Sequence, residues 1–140
     1  MTLEEHFEHV GRLVLAAKNL VLYVDEVDML CSPSALKAKN SSYWSRPENQ
    51  QRMPVLEEIL NRGRHSGIAG IFISRVPAQV HGLIRSQASE MRIFRSTEGN
   101  VLSYFRQRDE ALAQLLPTLG DFEYALWQDG KTPVRAGGRR

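Results

Sequence analysis

Two short apolar runs with a helical pattern between them constrain the fold of this chain more than any other feature. Residues 20–24 are a continuous run of branched and aromatic side chains, and residues 67–74 are a second run that begins with a glycine. Such runs are typical of strands that are covered on both faces, as in a parallel sheet. The intervening segment places four apolar residues at helical spacing, namely Val55, Leu56, Ile59 and Leu60. This order of strand, helix and strand predicts an α/β fold.

The remaining segments extend the same alternation. Residues 3–18 predict an amphipathic helix with an apolar stripe of Phe7, Val10, Val14 and Ala17, and with Glu4, Glu5, Glu8 and Arg12 on other faces. Residues 90–96 predict a third strand, residues 97–119 one or two helices that break before Pro117, and residues 121–136 a hairpin. The predicted fold is doubly wound α/β, with a parallel sheet, flanking helices and a C-terminal hairpin.

Length and composition bound the class of protein. The 140 residues, 42% of them hydrophobic, suit one α/β domain over residues 1–136, with a long polar loop at 31–51 and a frayed basic tail at 137–140. The single cysteine, Cys31, excludes an intramolecular disulfide and a multi-cysteine zinc site, which favours the cytoplasm. The start lacks the order of a secretory signal, and no apolar run approaches the roughly 18 residues of a membrane span. We therefore expect a soluble protein without a membrane segment.

Two adjacent carboxylates, Asp25 and Glu26, follow the first apolar run directly. In open parallel sheets ligands bind at the carboxyl ends of the strands, and this pair falls at such an end. A buried strand that ends in Asp-Glu is typical of the Walker B segment of P-loop nucleotidases. The hypothesis assigns Asp25 to Mg²⁺ and Glu26 to the water that attacks the γ-phosphate. The alternative is a solvated acidic pair, since such pairs often follow strands.

The segments "LVLYVDEVDML" at residues 20–30 and "LEEILNRGRHSGIAGIFISRVPAQV" at residues 56–80 together resemble a known family. They are similar to the second half of a HerA/FtsK-type ATPase, from the superfamily of DNA-pumping and DNA-packaging motors that includes phage and Zot-like members. In that family a helix ends in a Gly-Arg turn and leads to a strand whose polar end faces the γ-phosphate. The resemblance covers residues 20–95 and, more loosely, the tail.

The resemblance implies a site, its cofactors and its partners. It implies ATP and Mg²⁺ as cofactors, Asp25 and Glu26 as the Walker B pair, and Ser74 and Arg75 as the polar sensor segment. Arg64 becomes a candidate for reaching phosphate in the same or a neighbouring subunit; the alternative is a solvated cation at a helix end. Arg75 stands where many relatives carry glutamine, and a guanidinium can neutralise phosphate but cannot orient water in the same way. The implied partners are DNA, through an assembled motor, and further copies in a ring.

One element of that family has no match in this chain. No stretch fits G-x-x-x-x-G-K-[ST], the loop whose backbone amides and lysine cradle the phosphates. The chain is then a fragment or mis-started product of a larger ATPase, the partner of a chain that carries the P-loop, or a degenerate relative. We expect no appreciable ATPase activity from this chain alone. The alternative function is a non-catalytic α/β interaction module that derives from such an ATPase.

Two further hypotheses concern other residues. The polar loop interleaves basic and aromatic side chains that suit a nucleic-acid backbone and its bases, namely Lys37, Lys39, Tyr43, Trp44 and Arg46. The alternative is a solvated loop whose Trp44 packs back on the domain. A weaker hypothesis is a metal-dependent nuclease built on Asp25, Glu26 and Asp28, although suitable further partners are missing from the sequence.

Overall fold

A computed structural model describes residues 3–30 and 43–138. The chain forms two compact units, Met1–Gln87 and Ala88–Arg140, whereas the sequence predicted one domain over residues 1–136. Each unit has a hydrophobic core of its own. All the residues that the sequence singles out for phosphate chemistry belong to the first unit.

The first unit contains five helices and two strands among the described residues. In chain order they are α1 (Leu3–Ala17), β1 (Val21–Val24), α2 (Val27–Leu30), α3 (Pro47–Gln50), α4 (Val55–Arg62), β2 (Ala69–Phe72) and α5 (Gly82–Gln87). Short 3₁₀ turns at Gly63–Ser66 and Pro77–Gln79 lie on either side of β2. The predicted helices and strands of this part are confirmed, and α3 is the single short helical turn within the described part of the polar loop.

The strands β1 and β2 pair in parallel, from Val21 opposite Ala69 to Val24 opposite Phe72. One face of this pair is buried, because Leu22 and Val24 pack against side chains of α1, α4 and α5. The other face is open: Tyr23 is 59% exposed and Ile71 is 51% exposed. The prediction of strands covered on both faces is therefore wrong for the residues that the structure describes, whose helices cover only one side of the strand pair.

A buried carboxylate joins α1 to α4. Both carboxylate oxygens of Glu8 accept from the backbone N–H of Val55, at 3.1 and 3.0 Å, and the Arg12 guanidinium donates to Glu8 at 2.8 Å. The residue that precedes α4 is Pro54, which has no side-chain oxygen, so Glu8 takes the role of an N-terminal cap from another helix. Glu5 and Glu8, which the sequence places outside the apolar stripe of α1, are both buried.

The second unit is a three-stranded antiparallel sheet with two helices. Its elements are β3 (Glu90–Phe94), α6 (Gly99–Arg106), α7 (Glu110–Leu115), β4 (Glu123–Gln128) and β5 (Val134–Gly137), with a 3₁₀ turn at Leu116–Thr118. The strand order is β3-β4-β5. The core lies between one sheet face and the helices, where Ala125 packs with Phe105, Leu112 and Leu116.

Two predictions for this unit need correction. The strand β3 does not extend a parallel sheet, because it pairs antiparallel with β4. Its side chains alternate between half-buried and exposed, which is the pattern of an antiparallel strand with one covered face. The hairpin of β4 and β5 is confirmed, but the predicted tail begins too early: Gly137 belongs to β5, and Gly138 donates its N–H to the carbonyl of Phe122. Residues 139–140 lie outside the described residues.

Among residues 3–30 and 43–138, no helix has both the length and the apolar character that crossing a bilayer requires.

Candidate functional site

The end of β1 carries one residue more than a regular parallel ladder would hold. The backbone of Ile73 donates to the carbonyl of Val24 at 2.9 Å, and a regular register would then bring the N–H of Glu26 to the carbonyl of Ile73. Instead Val27 donates to that carbonyl, at 2.9 Å. The segment Asp25-Glu26 is therefore a bulge, a feature that redirects side chains at the ends of strands.

The backbone conformation of this bulge is held by its own carboxylate. Glu26 has φ of +49°, a left-handed conformation that non-glycine residues seldom adopt. The Asp25 Oδ1 atom accepts from the N–H of Glu26 at 2.8 Å, which stabilises the turn. Both side chains are exposed. Left-handed residues of this kind cost about 1–3 kcal/mol, and they cluster at active sites and switch regions.

The end of β2 lies beside the same bulge. The Arg75 guanidinium forms an ion pair with the Glu26 carboxylate, with Nη2 2.9 Å from Oε1 and the two side chains 70% and 49% exposed. The hydroxyl of Ser74 forms a local turn instead, in which it accepts from the N–H of Val76 at 3.1 Å. The structure thus brings Asp25, Glu26, Ser74 and Arg75 to one end of the strand pair, and it joins Glu26 and Arg75 directly. Their roles in catalysis stay predictions.

Arg64 does not lie at this end of the strand pair. It lies in the 3₁₀ turn Gly63–Ser66, which precedes β2, whereas Ser74 and Arg75 follow that strand. Because β1 and β2 are parallel, Arg64 is at the opposite end of the strand pair from Asp25 and Glu26. It is exposed. The structure does not bring it to the carboxylates of the same chain, and a role toward a neighbouring subunit stays a prediction.

The aromatic residues of the polar loop do not form the expected nucleic-acid-binding surface. Tyr43 and Trp44 are buried, at 8% and 9% exposure. The Tyr43 ring contacts His9 and Trp44 edge to face. The backbone N–H of Tyr43 donates to the Glu5 carboxylate at 2.9 Å. The prediction that these two rings stack on bases is wrong, because they pack back on the domain. Arg46 is exposed, and Lys37 and Lys39 lie outside the described residues.

The carboxylates of Asp25, Glu26 and Asp28 were also candidate ligands of a metal ion. Within the described part of the chain, no three His, Cys, Asp or Glu side chains come together as a metal site. This finding contradicts a nuclease centre built on Asp25, Glu26 and Asp28. Within this turn, Oδ1 of Asp28 is buried and has no hydrogen-bond donor among the described residues. No pattern in the sequence marks that atom, since its burial follows from the packing of the turn into α2.

Comparison with known proteins shows which solved structures share this fold. No protein-family model and no curated protein sequence matches the chain. The chain is similar in structure to the genome packaging NTPase B204 from Sulfolobus turreted icosahedral virus 2 in complex with ATP-gammaS, with a TM-score of 0.74, 18% identity, and 94% of this chain and 60% of that chain covered. The chain has the fold of a genome-packaging NTPase.

Two further solved structures give the same fold, the first of them of the same NTPase. For its complex with AMPPCP the TM-score is 0.74 at 17% identity, with 94% of this chain and 60% of that chain covered. For B204, the DNA-packaging ATPase from Sulfolobus turreted icosahedral virus, the TM-score is 0.74 at 18% identity, with 97% of this chain and 62% of that chain covered. The packaging-NTPase fold confirms the predicted α/β class. The chain spans less than two thirds of the length of each.

Proposed function

We propose that this chain supplies half of the nucleotide site of an ATP-driven motor that packages or translocates DNA. One observation carries the proposal: the Asp-Glu bulge after β1 and the Ser-Arg segment after β2 meet at one end of a parallel strand pair, with Glu26 and Arg75 in contact. The packaging-NTPase fold supports it, and the solved NTPases of this fold hold ATP-gammaS and AMPPCP. ATP would then be the nucleotide.

Asp25 suits the role of metal ligand. Mg²⁺ takes one or two carboxylates together with phosphate oxygens and several waters, so a cluster of three protein ligands is not required. The Asp25 carboxylate is exposed, and its bond to the N–H of Glu26 fixes its orientation. Bound Mg²⁺ would offset the charge of the triphosphate.

Glu26 suits the role of the residue that positions and deprotonates the attacking water. Its left-handed backbone turns it away from the line of β1, and Arg75 holds its carboxylate. The guanidinium of Arg75 would meet the phosphate beside that carboxylate. A cation at this point neutralises charge, whereas the glutamine of many relatives orients water, so Arg75 takes the neutralising role.

The charges of the site require a phosphate-binding loop, and no stretch of these 140 residues matches the P-loop pattern. Two like charges 4 Å apart repel by about 1 kcal/mol in water and by about 4 kcal/mol at an effective dielectric constant of 20. Two carboxylates facing a triphosphate therefore need backbone amides and a lysine to offset them. We propose that a segment outside these residues, in the same polypeptide or in a partner chain, provides the P-loop. DNA and further subunits would join in the assembled ring, where Arg64 is the candidate to reach a neighbouring site.

The test compares ATP binding and turnover with and without a polypeptide that carries the G-x-x-x-x-G-K-[ST] loop, taken from the same reading frame or an adjacent gene. The chain alone should show neither ATP binding nor ATP turnover. In the completed site, Glu26→Gln should lower turnover by about 10²- to 10⁴-fold with ATP binding retained. Asp25→Asn should weaken the Mg²⁺ dependence of binding, and Glu48→Gln, at an exposed carboxylate of α3, is the control. Unchanged turnover in Glu26→Gln would favour the non-catalytic module instead.

A further inference from the structure

The second unit exposes aromatic side chains on the side of its sheet that faces away from the helices. This outer face carries Glu90, Arg92 and Phe94 of β3 and Tyr124, Leu126 and Gln128 of β4, because the opposite face holds the half-buried Met91 and Ile93 and the buried Ala125. Phe94 is 60% exposed and lies directly opposite Tyr124 in the register. An exposed ring therefore lies beside a second ring that is half-buried.

The rings and a guanidinium form one contiguous group. The centroids of Phe94 and Tyr124 are 5.8 Å apart at an interplanar angle of 60°, and the Arg92 guanidinium lies 5.5 Å from the centre of the Tyr124 ring. The Arg92 side chain is 62% exposed. We name Arg92, Phe94 and Tyr124 the aromatic platform. A guanidinium beside a ring is the arrangement that single-stranded nucleic acids meet in proteins that stack their bases.

The charge of the surrounding face favours an anionic partner. The one carboxylate on the outer face of β3, Glu90, accepts from Arg92 at 2.9 Å and from Gln128 at 3.2 Å. The hydrogen bond from Arg92 and that from Gln128 lower the pKa of the Glu90 carboxyl, so its charge is present and matched by Arg92. Arg95 is exposed and adds a cation just beyond the end of β3.

We propose that the aromatic platform binds single-stranded nucleic acid, with Phe94 and Tyr124 stacking on bases and with Arg92 and Arg95 contacting the phosphate backbone. Stacking would use the exposed ring without sequence preference, since every base offers a flat face. This site is in the second unit and needs no nucleotide. It therefore stands or falls independently of the ATP site proposed above.

The experiment measures binding of a fluorescein-labelled oligo-dT of about 20 nucleotides, longer than the ~4–16 nucleotides that one such site occupies, by fluorescence anisotropy at low salt. Phe94→Leu should weaken binding by about 5- to 150-fold, which corresponds to the loss of one stacked base. Phe94→Tyr should bind like the parent chain. Arg92→Gln should weaken binding and lower the slope of log K against log salt by about 0.7 for one lost phosphate contact.

The matched controls are Leu3→Ala and Leu13→Ala, at exposed apolar residues of α1 in the other unit. Both should leave the affinity unchanged, and thermal unfolding of each variant verifies that it is folded. Failure of the oligonucleotide to bind at low salt would overturn the proposal. Equal binding by Phe94→Leu would also overturn it, because leucine keeps the apolar surface that a protein partner would need but removes the ring. A duplex that binds more tightly than the single strand would likewise count against it.

Discussion

The Arg75 guanidinium lies 2.9 Å from the Glu26 carboxylate and links the segment after β2 to the bulge after β1. Both partners are exposed, at 70% and 49%, so water competes for each charge. The contact holds the Glu26 side chain at the end of the strand pair, where a phosphate would bind in the proposed site. We infer that its importance is positional rather than energetic.

The first prediction follows from that exposure. Arg75→Ala should change the free energy of unfolding by less than about 1 kcal/mol, because exposed ion pairs contribute about 0–1 kcal/mol. Urea denaturation monitored by circular dichroism provides the measurement. Arg64→Ala, at an exposed arginine at the other end of β2, is the control. A loss several times larger than that of the control would show that the pair stabilises the fold.

The buried Glu8 carboxylate should behave in the opposite way. Glu8→Ala removes the acceptor for the first N–H of α4 and one of the two carboxylate partners of Arg12, which keeps Glu58, so it should destabilise the chain by about 1–3 kcal/mol. Glu8→Gln keeps one acceptor oxygen and should cost less. Glu48→Ala, at an exposed position, should lie within about 0.5 kcal/mol of the parent chain. Similar denaturation midpoints for Glu8→Ala and Glu48→Ala would contradict this account.

Gly11 tests the close approach of α1 and α4. A Cβ atom at this position would lie 2.5 Å from Cγ1 of Val55, a distance that forces the Val55 side chain or one of the helices to move. Gly11→Ala should therefore lower stability by about 1–3 kcal/mol, despite the better helix propensity of alanine. Gly99→Ala is the matched control, since a Cβ there would meet nothing within 4 Å and should leave stability unchanged or raise it. Differential scanning calorimetry of both variants decides the point; equal melting temperatures would refute the close approach.

The open face of β1 and β2 gives a further prediction. Tyr23 is 59% exposed whereas Leu22, next to it, is 7% exposed. Tyr23→Lys should cost less than about 1 kcal/mol, while Leu22→Ala should cost about 2–5 kcal/mol. Chemical denaturation of the two variants measures the difference. If Tyr23→Lys were as damaging as Leu22→Ala, the face would have to be covered by other residues in solution.

The family resemblance assigned Asp25, Ser74 and Arg75 to one phosphate site, and they lie together because the carboxyl ends of parallel strands share one edge of a sheet. The sequence itself predicted α1, α4 and the two strands of the first unit. It did not predict the bulge at Glu26. A left-handed glutamate leaves no trace in a pattern of apolar residues, and only the hydrogen bonds of Val24, Val27 and Ile73 reveal the extra residue.

Two other differences between prediction and structure could have been found in the sequence. The segment Glu90–Phe94 alternates polar and apolar residues up to Ile93, which is the pattern of an antiparallel strand with one covered face. Pro54 at the start of α4 has no capping oxygen, so a carboxylate from elsewhere was needed, and Glu8 provides it. The burial of Tyr43 and Trp44 had no such signal, since aromatic residues in a polar loop pack inward or outward according to tertiary contacts that the sequence does not show.

The most direct test of the central claim is the rate of ATP hydrolysis by the site completed with a P-loop polypeptide, compared between the parent chain and Glu26→Gln. The account predicts that Glu26→Gln binds ATP with parental affinity and hydrolyses it about 10²- to 10⁴-fold more slowly. Parental hydrolysis by Glu26→Gln would contradict the assignment of Glu26 to the attacking water and, with it, the proposal that the end of β1 and β2 forms a nucleotide site.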